Sequence, residues 1–167
     1  MRILDSKVRQ HPGAYVAQCG LAMIVLMVLF TIEDVLAHAA IFAAIGSPIF
    51  IIFATRNNST TTPRCVIGGH FVGMVISSMI ALVLASAPGM SLQTHGTYIA
   101  DLFAALSVGL AIFVMALTDT GHPPAAGTAL GLVLVGYDMR IVGFVITAAV
   151  VLAVVHRILR FRLKDLT

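Results

Sequence analysis

The chain has 167 residues, of which 59% are apolar and only 10% carry a formal charge. An average soluble domain is roughly 45–50% apolar and about 25% charged, and one domain of this size cannot hide such an excess of apolar surface from water. The composition therefore excludes a soluble enzyme, a disordered chain and a nucleic-acid-binding domain. It predicts an integral membrane protein with a single domain, residues 1–167.

Six apolar segments predict an all-α, multi-pass transmembrane bundle. A helix needs about 20 residues to cross the hydrocarbon core. The second, third and fourth segments reach that length, the first and sixth are slightly short, and the fifth is too short. We expect six segments, with the second and fifth short or broken; four crossings plus two re-entrant pieces are the alternative. In chain order the segments are approximately Val16–Ile32, Val35–Thr55, Val66–Ala87, Tyr98–Thr118, Ala125–Tyr137 and Ile141–His156.

Basic residues flank the apolar region at both ends of the chain. Such residues mark the cytoplasmic side of membrane segments, so we expect both termini in the cytoplasm, an even number of crossings, and the plasma (inner) membrane as the location. The positive charge thus predicts orientation rather than a nucleic-acid partner. The flanking residues are Arg2, Lys7 and Arg9 before the first segment, and Arg157, Arg160, Arg162 and Lys164 after the last.

The two halves of the chain, residues 16–87 and 98–156, resemble each other in plan. In each half, a long segment is followed by one that is expected to be short or broken and then by another long segment. The two middle segments share a glycine followed by a small hydroxyl residue. Three crossings per half would place the halves in opposite orientations, which is the inverted 3+3 repeat of many secondary transporters; chance similarity is the alternative. The shared pairs are Gly46-Ser47 and Gly127-Thr128.

Small residues recur at every fourth position in several segments. Such stripes let membrane helices approach closely, so they predict packing faces within a protomer or between protomers. The stripes are Gly69, Gly73, Ser77 and Ala81, then Ala105 and Gly109, then Gly127 and Gly131.

The most unusual stretch surrounds two consecutive prolines, Pro123 and Pro124. Prolines break the interior of a helix but suit its start, so a helix is expected to begin near Pro123 after irregular backbone. Irregular backbone at membrane depth is tolerated only inside protein or beside a watery cavity. Free N–H groups around Ala126 to Thr128 would then suit an anion.

A second helix start is expected at Pro63, with Arg64 in the first turn and His70 about two turns deeper. A basic residue at a helix N-terminus opposes the helix dipole. A nearby anion or carboxylate would relieve this conflict, and anchoring at the cytoplasmic surface is the alternative explanation for Arg64.

Ionisable residues inside membrane segments are functional candidates. His70 and His122 each follow a glycine and adjoin a proline-started helix. Two histidines without a third ligand make a poor metal site, so no metal and no cofactor are expected. Asp101 and Asp119, near opposite ends of the fourth segment, are proton-relay candidates; helix capping or pairing with Arg64 are alternatives for Asp119. No catalytic motif occurs, so we expect no catalytic residues and no enzyme.

Residues 121–130 (GHPPAAGTAL) resemble the signature of the HPP family of integral membrane proteins, which is named after its His-Pro-Pro tripeptide. Residues 62–64 (TPR) with 68–70 (GGH) resemble its second motif, and Gly46-Ser47 resembles a third, looser element. Members are multi-pass proteins, often with four helices, that are regarded as transporters, and some photosynthetic relatives are implicated in nitrite transport. The resemblance implies roles for Arg64, His70, His122 and the backbone from Pro123 to Thr128.

These observations predict a small transporter or channel for a small inorganic anion in the lipid bilayer, with nitrite as the family-based expectation. A non-transporting scaffold or subunit of a membrane complex is the alternative. One chain this short seldom encloses a pathway, so we expect a homo-oligomer, most simply a dimer. The predicted substrate-binding residues are Arg64, His70, His122, Pro123, Pro124, Gly127, Thr128, Gly46 and Ser47.

Overall fold

The computed structural model describes residues 12–32, 39–55, 58–86, 97–136 and 138–166. These residues form six α-helices and one 3-10 turn, Ser59–Thr61, and they contain no strand. The prediction of an all-α bundle with six segments is confirmed, whereas Arg2, Lys7 and Arg9 lie outside the described residues. The helices are α1 (Pro12–Ile32), α2 (Ala39–Ala54), α3 (Pro63–Ala85), α4 (Thr97–Thr118), α5 (Pro123–Val135) and α6 (Met139–Leu159).

Three helices are long and apolar enough to cross a membrane: α3, α4 from Asp101 onward, and α6. As predicted, the fifth helix is short, with 13 residues in α5, and the described part of the second helix has 16 residues. The predicted start of the second segment at Val35 lies outside the described residues. The first and sixth helices have 21 residues each and are longer than the apolar segments predicted for them, because each helix continues into the polar residues that flank its apolar segment. At the start of α6, for example, the Asp138 carboxylate accepts a hydrogen bond of 2.8 Å from the Arg140 N–H.

Hydrogen bonds gather the helix ends on one face of the bundle, which we call the terminal face. The Gln18 side-chain amide near the start of α1 donates to the Phe53 carbonyl at the end of α2 (2.6 Å) and to the Lys164 carbonyl in the C-terminal tail (2.9 Å). The Arg64 guanidinium at the start of α3 donates to the Thr118 carbonyl at the end of α4 (2.7 Å). Successive helices therefore alternate in direction, and the two three-helix halves run in opposite directions, as an inverted repeat requires.

The short helix α5 lies at the centre and packs against α2, α3 and α4. Its Ala125 and Ala129 are fully buried beside Ala111 and Met115 of α4. On its other side, Leu132 joins a larger apolar cluster formed mainly by α2 and α6. A helix surrounded in this way is held by van der Waals packing, because lipid supplies no hydrophobic force between helices.

The predicted small-residue stripes divide into two kinds. A Cβ built on Gly73 would lie 2.6 Å from the Ala125 carbonyl oxygen, and one on Gly127 would lie 3.4 Å from the Cβ of Ala44. The stripes on α3 and α5 are thus packing faces within the protomer. The stripe on α4 is not, since Ala105 and Gly109 are exposed and a Cβ on Gly109 would meet open space.

Candidate functional site

The N-terminus of α5 is recessed below the terminal face. Its N-cap, His122, lies against Gly69, where an added Cβ would approach the His122 Cβ to 2.7 Å and the Thr120 carbonyl oxygen to 3.0 Å. Because Gly69 follows Pro63 by six residues, α5 begins about 9 Å deeper than α3. The missing side chains of Gly68 and Gly69 make room for the irregular segment that leads down to His122.

The start of α5 offers few backbone donors. Pro123 and Pro124 have no N–H, and the Ala125 N–H donates to the His122 carbonyl at 2.9 Å. Since the helix begins at Pro123, the N–H groups of Ala126 to Thr128 lie within its hydrogen-bonded turns. This differs from the expectation of free N–H groups at those positions: two prolines remove donors that an ordinary helix start would expose.

His122 is buried and firmly oriented. Only 1% of its surface is exposed, and its side chain does not cap α5. Instead, the Nδ1 atom lies 2.8 Å from the Thr60 carbonyl oxygen in the 3-10 turn. A carbonyl oxygen accepts and cannot donate, so Nδ1 carries the proton, and the neutral imidazole has an unprotonated Nε2.

His70 faces His122 from α3. It is completely buried, and its Nδ1 lies 2.8 Å from the Thr128 hydroxyl oxygen of α5. The two imidazole rings meet edge to face, with centroids 5.2 Å apart and planes at 63°. We call His70 and His122 the histidine pair; it lies about 10 Å below the start of α3.

Both Nε2 atoms of the histidine pair are buried without a hydrogen-bond partner anywhere in the described part of the chain. Buried polar atoms in native proteins almost always have a partner, and an exception calls for an explanation such as a bound water, an ion or a functional role. The histidine pair is therefore a polar arrangement inside the bundle that calls for a functional explanation.

An open cavity of about 600 Å³, which we call the vestibule, lies at the terminal face above His122. At its rim the Arg64 guanidinium lies 3.6 Å from the Asp119 carboxylate, and both side chains are largely exposed, at 66% and 91%. Asp119 has a left-handed backbone, with φ of 53°, where the chain leaves α4 and turns inward. The vestibule is lined by Ser59, Thr60, Thr62, Arg64, Cys65, Asp119 and Gly121.

Comparison with known proteins identifies the family of this chain. The family model described as "HPP, transmembrane region" matches residues 7–162, nearly the whole chain. The chain belongs to the HPP family. It is also 33% identical to a transmembrane protein of Dictyostelium discoideum over 94 residues, which are 56% of this chain and 30% of that relative's length. No solved structure matches the chain significantly. Family and apolar helices together make it an integral membrane protein.

The His-Pro-Pro motif of this HPP chain brings together several, but not all, of the predicted site residues. His70, His122 and Thr128 meet in the core, and Arg64 stands above them at the vestibule. Pro124 is buried, whereas Pro123 is exposed.

The third motif element of the HPP chain, Gly46-Ser47 on α2, is not among the described residues that contact the histidine pair or line the vestibule. Ser47 is exposed, and a Cβ on Gly46 would meet open space. The α2–α5 contact is instead made one turn away, where Gly127 approaches Ala44. Pro48 lacks the N–H that would bond the Ala44 carbonyl within the helix.

The two candidate aspartates of the HPP chain lie at opposite ends of α4, roughly 27 Å apart along the helix, and both are exposed. Of the alternatives for Asp119, pairing with Arg64 is the one that the structure shows. Capping of α5 is not, since His122 is the N-cap.

Sequence reasoning missed two polar residues that belong to this region of the HPP chain. Thr60 holds His122 through its backbone carbonyl, for which no side-chain signal exists. Ser107 of α4 is fully buried and donates to the Ala129 carbonyl of α5 at 3.0 Å. Ser77, a member of the predicted small-residue stripe on α3, is fully buried about two turns beyond His70.

No group of three or more His, Cys, Asp or Glu residues is arranged to hold a metal ion within the described ranges. The two cysteines are free; Cys19 is exposed and Cys65 is half-buried at the vestibule. At the histidine pair and the vestibule, the described polar groups offer hydrogen bonds and the guanidinium of Arg64.

Proposed function

We propose that this HPP-family chain is a transporter or channel for a small inorganic anion, with nitrite as the first candidate. The observation that carries the proposal is the histidine pair, whose two Nε2 atoms are buried without partners. Small polar ligands are held at such positions, and intramembrane histidines typically line ion or proton pathways. Membership of the HPP family, whose members are regarded as transporters, supports the same function.

Arg64 is the proposed entry point. Its pairing with Asp119 is weak, because both side chains are largely exposed and screened by water. An anion that enters the vestibule can therefore replace the Asp119 carboxylate at the guanidinium. Arg64 keeps its bond of 2.7 Å to the Thr118 carbonyl, which fixes the side chain while the anion binds.

The histidine pair is the proposed inner site, and its hydrogen bonds imply proton coupling. The Nδ1–H of His122 donates to the Thr60 carbonyl, so in the neutral imidazole Nε2 is unprotonated and an anion there would face a lone pair. The anion is accepted only when Nε2 is protonated as well, which makes His122 an imidazolium ion. His70 differs, because the Thr128 hydroxyl can donate to its Nδ1 and leave a proton on Nε2. We therefore propose that a proton enters together with each anion.

The route from the vestibule to the histidine pair is closed in this conformation, since His122 is only 1% exposed. Thr60 and Gly121 lie between them as part of the vestibule lining. Movement of the Ser59–Thr61 turn would open the route and release His122 at the same time, because the turn holds that ring. We propose this turn as the gate on the terminal face.

Anion flux into proteoliposomes tests the proposal. Purified protein is reconstituted, and uptake of nitrite, nitrate, formate and bicarbonate is compared with empty liposomes while an internal pH dye reports proton entry. We expect nitrite uptake that an inward proton gradient accelerates, and that His122→Ala and Arg64→Ala abolish. The matched control is Arg140→Ala, because Arg140 lies at the start of α6, on the face opposite the terminal face. Absence of flux for all four anions with folded protein would overturn the proposal.

The second candidate is a non-transporting scaffold or subunit of a membrane complex. The observation that favours it is the close approach of α3 to the His-Pro-Pro segment at Gly69 and Gly73, which explains the motif as a packing device. In that case His122→Ala and Arg64→Ala would lower stability or partner recovery, with no flux in any variant.

We further propose that the terminal face is cytoplasmic and that the plasma (inner) membrane is the location. Of the six described Lys and Arg residues, five lie at the terminal face and Arg140 at the other, as the positive-inside rule expects. We also propose a homo-oligomer, most simply a dimer, that packs through the exposed small residues Ala105 and Gly109 of α4. Light scattering of the detergent-solubilised protein tests the oligomeric state.

A further inference from the structure

A second basic cavity lies between the start of α3 and the end of α6, away from the histidine pair. It consists of two adjoining hollows of about 290 and 300 Å³. The two hollows share Pro63, His156, Arg160 and Phe161, and we call them together the α3–α6 cleft. Ser59 and Thr62 separate the cleft from the vestibule and contribute to both.

Among the described residues, the cleft presents positive charge without a matching negative charge. Arg157 and Arg160 line it and are exposed, and none of the described Asp or Glu residues belongs to its lining. Neither guanidinium forms an ion pair with any described residue. The Arg160 guanidinium lies over the Phe161 ring, with 4.6 Å from Cζ to the ring centroid, which is a cation–π contact.

Hydroxyl groups of the 3-10 turn region complete the polar side. Thr62 caps α3 by accepting a hydrogen bond from the Cys65 N–H at 3.3 Å, so its own O–H is available to donate. Ser59 is exposed at the same wall. Arg157 and Arg160 line the first hollow, and Arg160, Ser59 and Thr62 line the second. The two adjoining hollows thus offer guanidinium and hydroxyl donors for phosphate oxygens.

The outer side of the cleft is apolar. Phe161 lines both hollows and is 70% exposed, and Ile158, which does not belong to the lining, is 68% exposed on the same end of α6. In a membrane protein, exposed apolar residues at a helix end lie beside lipid, so the cleft opens where headgroups and acyl chains meet. Basic pockets between helices at this level typically bind anionic lipid headgroups.

We propose that the α3–α6 cleft binds the phosphate of an anionic phospholipid, with Arg157 and Arg160 as the phosphate ligands and Phe161 against the acyl chain. The proposal does not depend on transport. Free inorganic phosphate shares the headgroup chemistry, and the experiment distinguishes the two sources.

Native mass spectrometry of the full chain tests the proposal. The protein is released from detergent micelles that contain phosphatidylglycerol or phosphatidylcholine. We expect retention of phosphatidylglycerol in preference to phosphatidylcholine, and a loss of roughly thirtyfold in retention for Arg157→Gln/Arg160→Gln, since each guanidinium contributes to headgroup affinity. Arg140→Gln and Arg162→Gln, singly and combined, remove one or two positive charges outside the cleft lining and should retain the lipid.

Equal retention in the double variant and in the two controls would overturn the proposal, as would equal retention of phosphatidylcholine. Displacement of phosphatidylglycerol by millimolar inorganic phosphate would show that the cleft binds free phosphate and would overturn the proposal of a lipid site. Retention of phosphatidylglycerol in the presence of phosphate supports the lipid site. Arg157→Lys/Arg160→Lys keeps the charge and is the second variant if the glutamine pair does not fold. It should bind lipid more weakly than the wild type, because lysine lacks the bidentate geometry.

Discussion

His70 and His122 lie edge to face in the centre of the bundle, with their ring centroids 5.2 Å apart. Each ring is oriented through Nδ1, by the Thr128 hydroxyl and the Thr60 carbonyl respectively, and each leaves Nε2 without a partner. The contact joins α3 to the recessed start of α5, so the two Gly-His pairs of the sequence become one site. This relationship makes the roles of individual atoms testable.

His122→Asn separates orientation from function in the histidine pair. The asparagine amide nitrogen can occupy the Nδ1 position and keep the bond to Thr60, whereas Nε2 is removed. We expect thermal stability close to the wild type and nitrite flux at the level of empty liposomes. Flux at the wild-type rate would place the pathway elsewhere in the protein.

Asp119→Asn tests the competition for Arg64. Without the carboxylate, an entering anion meets an unpaired guanidinium, and the half-saturation concentration for flux should fall by up to about fivefold, the range of an exposed ion pair. Asparagine tolerates the left-handed backbone of Asp119, so the turn is preserved. Asp138→Asn removes a charge at the opposite face and should leave the half-saturation concentration unchanged.

Gly73→Ala tests the close approach of α3 and α5. The added Cβ would lie 2.6 Å from the Ala125 carbonyl oxygen, which is backbone and cannot rotate away. Overpacking of this kind costs about 1–3 kcal/mol, so the midpoint of thermal unfolding in detergent should fall. Gly109→Ala adds the same methyl group in open space and should not lower the midpoint; an equal loss in both variants would contradict the packing explanation.

Thr128→Val tests the hydrogen bond to His70. Valine has the shape of threonine but lacks the hydroxyl, so the buried Nδ1 would lose its partner at a cost of about 1–3 kcal/mol. Thr128→Ser keeps the hydroxyl and serves as the control. The free energy of unfolding in a denaturant titration should fall for the valine variant and stay nearer the wild type for the serine variant.

Cysteine labelling tests the orientation of the bundle. In a background without Cys19 and Cys65, Ser59→Cys and Asp138→Cys place single thiols at opposite faces. Because basic residues concentrate at the terminal face, we expect an impermeant maleimide to label Asp138→Cys in intact cells and Ser59→Cys only after lysis. The reverse pattern would place both termini outside.

Composition and hydropathy alone determined that this is a helical membrane protein with six segments, two of them short. Helix starts at Pro63 and Pro123 followed from proline chemistry, because a missing N–H and a fixed φ are local properties. The motif residues Arg64, His70 and His122 were likewise visible in the chain. All of these features depend on one residue or its near neighbours.

Only the tertiary structure decided how those residues meet. The partner of His122 is a backbone carbonyl, which every residue has, so no pattern singles out Thr60. The depth of α5 depends on Gly69, which faces the segment before α5, and on Gly73, which faces its first turns. The two prolines left the start of α5 without the donors expected for an anion. Such contacts join residues about 60 positions apart, as in the Thr60–His122 bond. Sequence spacing does not predict these contacts, because packing between helices in lipid depends on the shapes of their surfaces rather than on local propensity.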